Sequence, residues 1–149
     1  MSTLYLQQAT YEAIRAHSEE AYPAECCGVL LGQRAGGEAH VIESVKTSNA
    51  STGAPHNRYS IAPIELIRIE RDARHRGMEI IGFYHSHPDH PAYWSATDMA
   101  DAHWLGCSYV ITSVFAGSAT ATNSFLLTGA TEEHKRFEPE KIDLIHEAL

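Results

Sequence analysis

The sequence is poor in cysteine and contains no long apolar run. Three of its 149 residues are cysteines, an odd number, and Cys26 and Cys27 are adjacent, so we do not expect a disulfide framework. No apolar stretch approaches the length of a membrane span, and residues 1–5 lack the pattern of a signal peptide. A reducing cytoplasm is therefore the expected location.

Positive charge is also scarce, which limits the classes of partner. The chain carries 11 Lys and Arg against 19 Asp and Glu, a formal net charge of -8. Because phosphate binding needs a basic surface, we do not expect nucleic acid as a partner, and the lack of a membrane-length apolar run argues against a membrane. Hydrophobic residues make up 44% of the chain, and no repeat or linker interrupts it. Residues 1–149 are therefore expected to form one globular domain.

The most informative stretch is residues 82–103, GFYHSHPDHPAYWSATDMADAH. His85 and His87 follow an apolar run, and residues two apart in a strand project to the same side. If a helix begins near Ser95, then Ser95 and Asp98 share one face of it. Two imidazoles and a carboxylate can thus converge. Three protein ligands with an open fourth position are typical of catalytic zinc sites.

Each half of this pattern also has a simpler explanation. A His-x-His pair alone is weak evidence for a metal site, and Ser95-x-x-Asp98 matches a helix capping box. The whole spacing, His-x-His-x7-Ser-x2-Asp, resembles the signature of the JAMM (MPN+) metallopeptidases without a gap. This signature is specific, because four residue types and three spacings must agree. We therefore compare the rest of the chain with the short prokaryotic members of that family.

Periodicity predicts a mixture of helices and strands. Helices are expected over residues 7–22, 63–76, 95–104 and 138–149, and strands over residues 25–32, 40–45, 78–84, 109–114 and 122–127. The polar stretch 47–57 is expected to be a surface loop. The order of elements predicts an α+β protein with a mixed sheet flanked by helices. The family resemblance, which covers roughly residues 6–125, implies a cytidine-deaminase-like αβα architecture.

The residues alone do not select the group that transfers protons. Six glutamates precede the motif, namely Glu25, Glu38, Glu43, Glu65, Glu70 and Glu79. The segment 23–32, PAECCGVLLG, resembles the family segment in which a glutamate precedes Cys-Gly and an apolar strand. The resemblance therefore selects Glu25 as the general acid/base. It also implies that His85, His87 and Asp98 bind one Zn²⁺ per chain and that Ser95 stabilises the oxyanion.

Two positions depart from the family pattern. Trp94 occupies the place where many relatives have proline, and Ala62 occupies the place where aspartate is usual. Neither change removes a group with an implied chemical role, but Trp94 is placed to reshape the substrate groove. Cys26, Cys27 and Cys107 are expected to be small buried hydrophobic residues.

The resemblance implies a zinc-dependent isopeptidase or peptidase of JAMM type. Its expected partner is a small ubiquitin-like or sulfur-carrier protein, whose C-terminal tail is cleaved from a conjugate or an extension. Two alternatives belong to other classes. A non-catalytic MPN scaffold would share the fold but generally lacks some of the five residues, and an Fe(II) enzyme with two histidines and one carboxylate uses the same ligand types.

Overall fold

The computed structural model describes residues 2–51 and 58–146. The elements are β1 (Thr3–Gln7), α1 (Gln8–Ala21), β2 (Cys27–Ala35), β3 (Glu38–Thr47), α2 (Pro63–His75), β4 (Glu79–Pro88), α3 (Ala96–Asp101), β5 (Ser108–Phe115), β6 (Ser118–Thr128), a 3-10 turn (Glu132–His134) and β7 (Arg136–Ile145). Among these described elements, no helix combines the length and the apolar character needed to span a membrane. Most of the predicted loop over 47–57 lies outside the described residues.

The strands form one mixed sheet that closes on itself in the order β1-β3-β2-β4-β5-β6-β7. β2 is antiparallel to both β3 and β4, whereas β4 and β5 are parallel and are connected through α3. The ring is completed by the parallel pairing of β7 with β1. The predicted α+β class is thus confirmed, but the prediction of a mixed sheet simply flanked by helices is wrong because the sheet closes into a barrel. The cytidine-deaminase-like relationship stays a prediction.

The two strands that close the barrel were not predicted from the sequence. The prediction of a helix over 138–149 is wrong for its described part, which belongs to β7. In β7, Ile142 and Leu144 lie opposite Leu4 and Leu6 of β1, and all four pack in one cluster. Pairing on both sides outweighs the weak helical pattern of the isolated segment. The spacing of Ile142 and Leu144, two residues apart, was the sequence pattern that could have indicated a strand.

The central strands bury both of their faces, because α1 packs against one face and α2 against the other. Leu30 belongs to a buried cluster that includes Ile14 of α1, and its neighbour Leu31 belongs to a second cluster that includes Ala73 of α2. Successive side chains of a strand point to opposite faces, so a strand covered on both sides has a continuous apolar sequence. Each fully buried leucine contributes about 1.5–3 kcal/mol.

One glycine allows β2 to lie close against β4. A Cβ atom at Gly28 would lie 2.1 Å from Cε2 of Tyr84, and the Tyr84 hydroxyl is 2.7 Å from Nδ1 of His17 on α1. The register that results places Cys27 opposite His85. Residue 25, which precedes β2, is thereby brought next to the end of β4.

Candidate metal centre

The structure brings together the three residues that were predicted as metal ligands. His85 and His87 lie near the end of β4, and both are buried. Asp98 lies in the first turn of α3. Nε2 of His87 is 3.2 Å from Nε2 of His85 and 2.9 Å from Oδ2 of Asp98, and Nε2 of His85 is 3.2 Å from Oδ1 of Asp98. One nitrogen or oxygen of each residue thus faces a common point.

The hydrogen bonds around His87 show that a positive charge is needed at the point where the two imidazoles and the Asp98 carboxylate converge. Nδ1 of His87 lies 2.9 Å from the carbonyl oxygen of Pro91, so Nδ1 carries a proton and donates it to that oxygen. In the neutral ring Nε2 then presents a lone pair to the Asp98 carboxylate. Two acceptors at this distance repel each other unless a proton or a metal cation lies between them. Two imidazoles and one carboxylate therefore fit a divalent transition metal.

The protonation of the cluster agrees with this conclusion. Burial alone would raise the pKa of Asp98, but hydrogen bonds with His85 and His87 hold this pKa well below its ordinary value. Burial lowers the pKa of His85. Burial also acts to lower the pKa of His87, yet its hydrogen bond to Asp98 and the charge of that carboxylate raise it overall. The carboxylate is anionic, as a metal ligand must be.

Ser95 caps helix α3 through the same carboxylate. Its Oγ accepts a hydrogen bond from the Asp98 backbone N–H at 3.1 Å, and its own N–H donates to Oδ2 of Asp98 at 2.9 Å. Both halves of a capping box are therefore present. The cap orients Asp98 toward the histidines, so the structural explanation of the Ser-x-x-Asp pattern and the metal-site explanation are compatible.

Glu25 lies beside this cluster, at a cavity of about 450 Å³. The cavity is lined by Glu25, Arg58, His87, His90, Pro91, Tyr93, Trp94, Ser95 and Thr97. The Glu25 side chain is buried, and its Oε1 has no hydrogen-bond partner among the described residues. Burial raises the pKa of Glu25 to about 8, against the opposing effect of His87. A buried, unpaired carboxyl group next to a metal-ligand cluster is typical of a proton-transfer group.

Two further residues of the site were not predicted from the sequence. The Tyr59 ring stacks on His85, with ring centroids 4.4 Å apart and planes inclined by 24°, and burial raises the pKa of its hydroxyl well above the ordinary value. Asn49 binds the backbone on either side of Tyr59, at Arg58 and Ser60. The Asn49 contacts span 9 and 11 residues and the Tyr59–His85 contact spans more, so none of them follows from a helix or strand repeat.

Other candidates lie outside the ligand cluster. His90 lines the cavity but is not one of the converging groups. His103 pairs with Glu132 at 3.0 Å. Asp101 forms two hydrogen bonds with Arg58. All three cysteines are buried and free, which agrees with the prediction that they pack as hydrophobic residues.

His-x-His at the end of one strand and an aspartate on the next helix together form a candidate metal centre. The family model described as prokaryotic homologs of the JAB domain matches residues 7–128. The chain therefore belongs to this family, as its motif predicted, and is a JAMM-type hydrolase. Members of the family are generally metal-dependent.

Curated relatives support the same assignment. The chain is 33% identical over 116 residues to a desampylase of Haloferax volcanii, covering 75% of this chain and 81% of that protein. It is 29% identical over 101 residues to a probable TtuB-protein conjugate cleaving protease of Thermus thermophilus. That alignment covers 68% of this chain and 64% of the Thermus protein.

Solved structures resemble the whole fold. A protein from Desulfitobacterium hafniense, known from its solution structure, superposes with a TM-score of 0.82 at 30% identity, covering 97% of this chain and 94% of that one. A protein from Salinibacter ruber superposes with a TM-score of 0.68 at 32% identity, covering 96% and 92% of the two chains.

Proposed function

We propose that this protein is a zinc-dependent isopeptidase that hydrolyses an amide bond at the C-terminal tail of a small ubiquitin-like or sulfur-carrier protein. The observation that carries the proposal is the convergence of His85, His87 and Asp98 in one cluster, in which His87 lines the same cavity as Glu25 and Ser95. All five residues of the proposed machinery are present in one place. A non-catalytic scaffold has no need for this complete set.

In this proposal His85, His87 and Asp98 hold the zinc ion. Two neutral imidazoles and one carboxylate leave a net positive site with room for a further ligand. Bound zinc supplies Lewis acidity, which polarises the scissile carbonyl and lowers the pKa of water toward ~7. The choice of zinc over iron rests on the hydrolase family, because the ligand types alone suit both metals.

Glu25 is the proposed proton-transfer group. Its side chain is buried and lines the same cavity as His87, so its carboxyl group is within reach of a water molecule at the site. It accepts a proton from the attacking water and delivers it to the leaving amine. The free Oε1 faces no protein group that competes for this proton among the described residues. General acid–base groups contribute typically ~10²–10⁴-fold to the rate.

Ser95 is the proposed donor to the developing oxyanion. A hydroxyl has one proton and two lone pairs, and the helix cap uses only a lone pair of Ser95 Oγ, to accept the hydrogen bond from Asp98. Its proton is therefore free to bind the substrate oxygen. Removal of one such donor typically costs ~10²–10³-fold in rate.

Two observations support a protein tail as the substrate. One relative is named a desampylase, and the other is named for cleaving conjugates of TtuB. In addition, β1 pairs with β3 only over Glu38–His40, so no described strand covers that edge of β3 beyond His40. An extended chain can add to such an edge through backbone hydrogen bonds.

The test is incubation of zinc-loaded protein with candidate ubiquitin-like proteins that carry C-terminal extensions, with intact mass as the measurement. We expect one cleavage at the end of the tail, zinc dependence, and a rate at least ~10²-fold lower for Glu25→Gln. An inactive protein with full zinc and correct folding would favour the scaffold alternative. Iron in the purified active protein would favour the Fe(II) alternative.

A further inference from the structure

Both polar atoms of the peptide bond between Glu25 and Cys26 are held by side chains from other parts of the chain. The Glu25 carbonyl oxygen accepts a hydrogen bond from Nδ2 of Asn49 at 3.1 Å. The Cys26 N–H donates to Oγ of Ser86 at 2.9 Å. The peptide unit that follows Glu25 is thus fixed from two sides.

These side chains replace the partners that a strand would supply. Strand β2 begins at Cys27, so this peptide precedes the paired part of the sheet. The Glu25 carboxyl group is also without a polar anchor at Oε1 among the described residues. The position of the Glu25 carboxyl group is therefore determined mainly by the Glu25 backbone. Asn49 and Ser86 in turn hold that backbone in place.

Ser86 belongs to the strand that carries the two histidines. Ser86 lies between His85 and His87 in β4 and is completely buried, with 0% exposure. Its own backbone N–H donates to the Cys26 carbonyl at 3.3 Å. This serine thus ties the strand that carries the histidines to the residue next to Glu25.

Asn49 makes all of its described side-chain hydrogen bonds to backbone atoms. Its Nδ2 donates to the carbonyl oxygens of Glu25 and Arg58 at 3.1 Å each, and its Oδ1 accepts from the N–H groups of Ser51 and Ser60 at 3.0 and 3.1 Å. The segment that it holds includes Tyr59, whose ring stacks on His85. One side chain therefore links Glu25 to the segment packed over a proposed ligand.

We propose that Asn49 and Ser86 are positioning residues that clamp the Glu25–Cys26 peptide and so hold the Glu25 carboxyl group beside the metal ligands. The proposal rests on the proposed role of Glu25 in proton transfer. Neither residue needs to touch the substrate. A displacement of about 1 Å in a reacting group can cost ~10²-fold in rate, so loosening this peptide is costly even when the metal stays bound.

The test uses full-length Ser86→Ala, Ser86→Thr, Asn49→Ala and Asn49→Asp proteins, each also made in the Glu25→Gln background. Ser86→Thr keeps a hydroxyl acceptor. Asn49→Asp keeps the acceptor for Ser51 and Ser60 but loses the donor to both Glu25 and Arg58. The control is Ser124→Ala. Ser124 is buried, as Ser86 is, but it lies on β6, two strands from β4, and donates a hydrogen bond to Glu140 at 2.7 Å.

We expect Ser86→Ala, Asn49→Ala and Asn49→Asp to lower kcat by ~10–100-fold, with KM and zinc content nearly unchanged. Ser86→Thr should recover most of the rate. The Cys26 amide should exchange its hydrogen faster in Ser86→Ala, a readout that is independent of turnover. Ser124→Ala should lose stability but keep kcat. In the Glu25→Gln background the same substitutions should cause no further loss of residual rate, because they act through Glu25.

Wild-type kcat in zinc-loaded Ser86→Ala and Asn49→Asp, with Glu25→Gln inactive, would overturn the clamp and leave the proposed function intact. The clamp proposal would also be overturned if Ser86→Ala or Asn49→Asp lowered kcat as much in the Glu25→Gln background as in wild type. The two residues would then act independently of Glu25. If Glu25→Gln itself turns over normally, the proposed role of Glu25 fails, and the clamp proposal fails with it. If Ser86→Ala does not fold, Asn49→Asp decides by the same criteria.

Discussion

Nε2 of His87 lies 2.9 Å from Oδ2 of Asp98, the same carboxylate oxygen that accepts a hydrogen bond from the backbone N–H of Ser95. One oxygen thus serves the helix cap and the ligand cluster together. The cap fixes the direction of the Asp98 side chain at the N-terminus of α3, and β4 fixes the two imidazoles. The centre is therefore preorganised by two independent backbone elements.

Loss of one ligand should remove the metal. We expect His87→Ala to reduce zinc from about one ion per chain to a small fraction, because only two protein ligands would remain. His90→Ala is the matched control, since His90 lines the same cavity without joining the cluster, and it should keep its zinc. Metal content is measured by elemental analysis after dialysis. Full zinc occupancy in His87→Ala would contradict the ligand assignment.

Ser95 should affect turnover more than stability. As a helix cap alone, its loss in Ser95→Ala should cost ~1 kcal/mol of unfolding free energy. As a donor to the oxyanion, its loss should also lower the rate by ~100-fold or more. Ser95→Thr, which keeps the hydroxyl, should retain most of both properties. Thermal unfolding and cleavage rates measured on the same samples separate the two roles, and an unchanged rate in Ser95→Ala would leave only the cap.

Metal-free protein should lose stability at high pH because of Glu25. Burial raises the pKa of Glu25 from 4.5 to about 8, so the folded state holds this proton more tightly than the unfolded state does. The folded state is therefore penalised as pH rises above about 4.5, and the penalty is complete above about 8. Glu25→Gln has no such penalty. Its unfolding free energy relative to wild type should increase by about 2 kcal/mol or more between pH ~5 and pH ~9.

Urea unfolding of both metal-free proteins at the two pH values checks this prediction. Comparing the two proteins cancels the titration of groups that do not interact with Glu25, and His87, whose pKa is raised in part by the Glu25 charge, is followed separately by NMR. A stability difference that does not change with pH would mean that the Glu25 carboxyl group has an ordinary pKa in the folded protein.

Gly28 should tolerate no side chain, because a Cβ atom there would lie 2.1 Å from the Tyr84 ring. We expect Gly28→Ala to cost about 3 kcal/mol through overpacking in the core. Gly36→Ala is the control, since Gly36 has a φ of +61° but a Cβ atom there would meet no described atom within 4 Å, and it should cost about 1 kcal/mol of backbone strain. Urea unfolding measures both losses of unfolding free energy, and adding Tyr84→Leu to Gly28→Ala should recover part of the loss. Equal losses for Gly28→Ala and Gly36→Ala would contradict the close approach of Gly28 to the Tyr84 ring.

The geometry of the candidate site could be predicted largely because its residues follow local rules. The histidines are two residues apart in a strand, and Ser95 and Asp98 are three apart at a helix start, so sequence spacing determines which of them share a face. Glu25 could not be selected in this way. Its proximity depends on the pairing of β2 with β4, some sixty residues away (85 − 25 = 60), and only the family resemblance identified it.

The fold was predicted less completely than the site. The strands β2, β4 and β5 are apolar enough to be recognised alone, because both of their faces are buried. β1 is only five residues long, and β7 contains Pro139 and five charged residues, so neither has a strong intrinsic preference for a strand. Their conformation is stabilised mainly by pairing with each other and with their neighbours, and barrel closure was therefore missed.

The central claim is that a metal held by His85, His87 and Asp98 acts together with Glu25 in hydrolysis. The most direct measurement is the cleavage rate of zinc-replete Glu25→Gln beside wild type, with zinc content determined on the same samples. The amide keeps the shape of the side chain but cannot accept a proton. We predict zinc near one per chain in both proteins and a rate at least ~10²-fold lower in the variant. A wild-type rate in zinc-loaded Glu25→Gln would contradict the account.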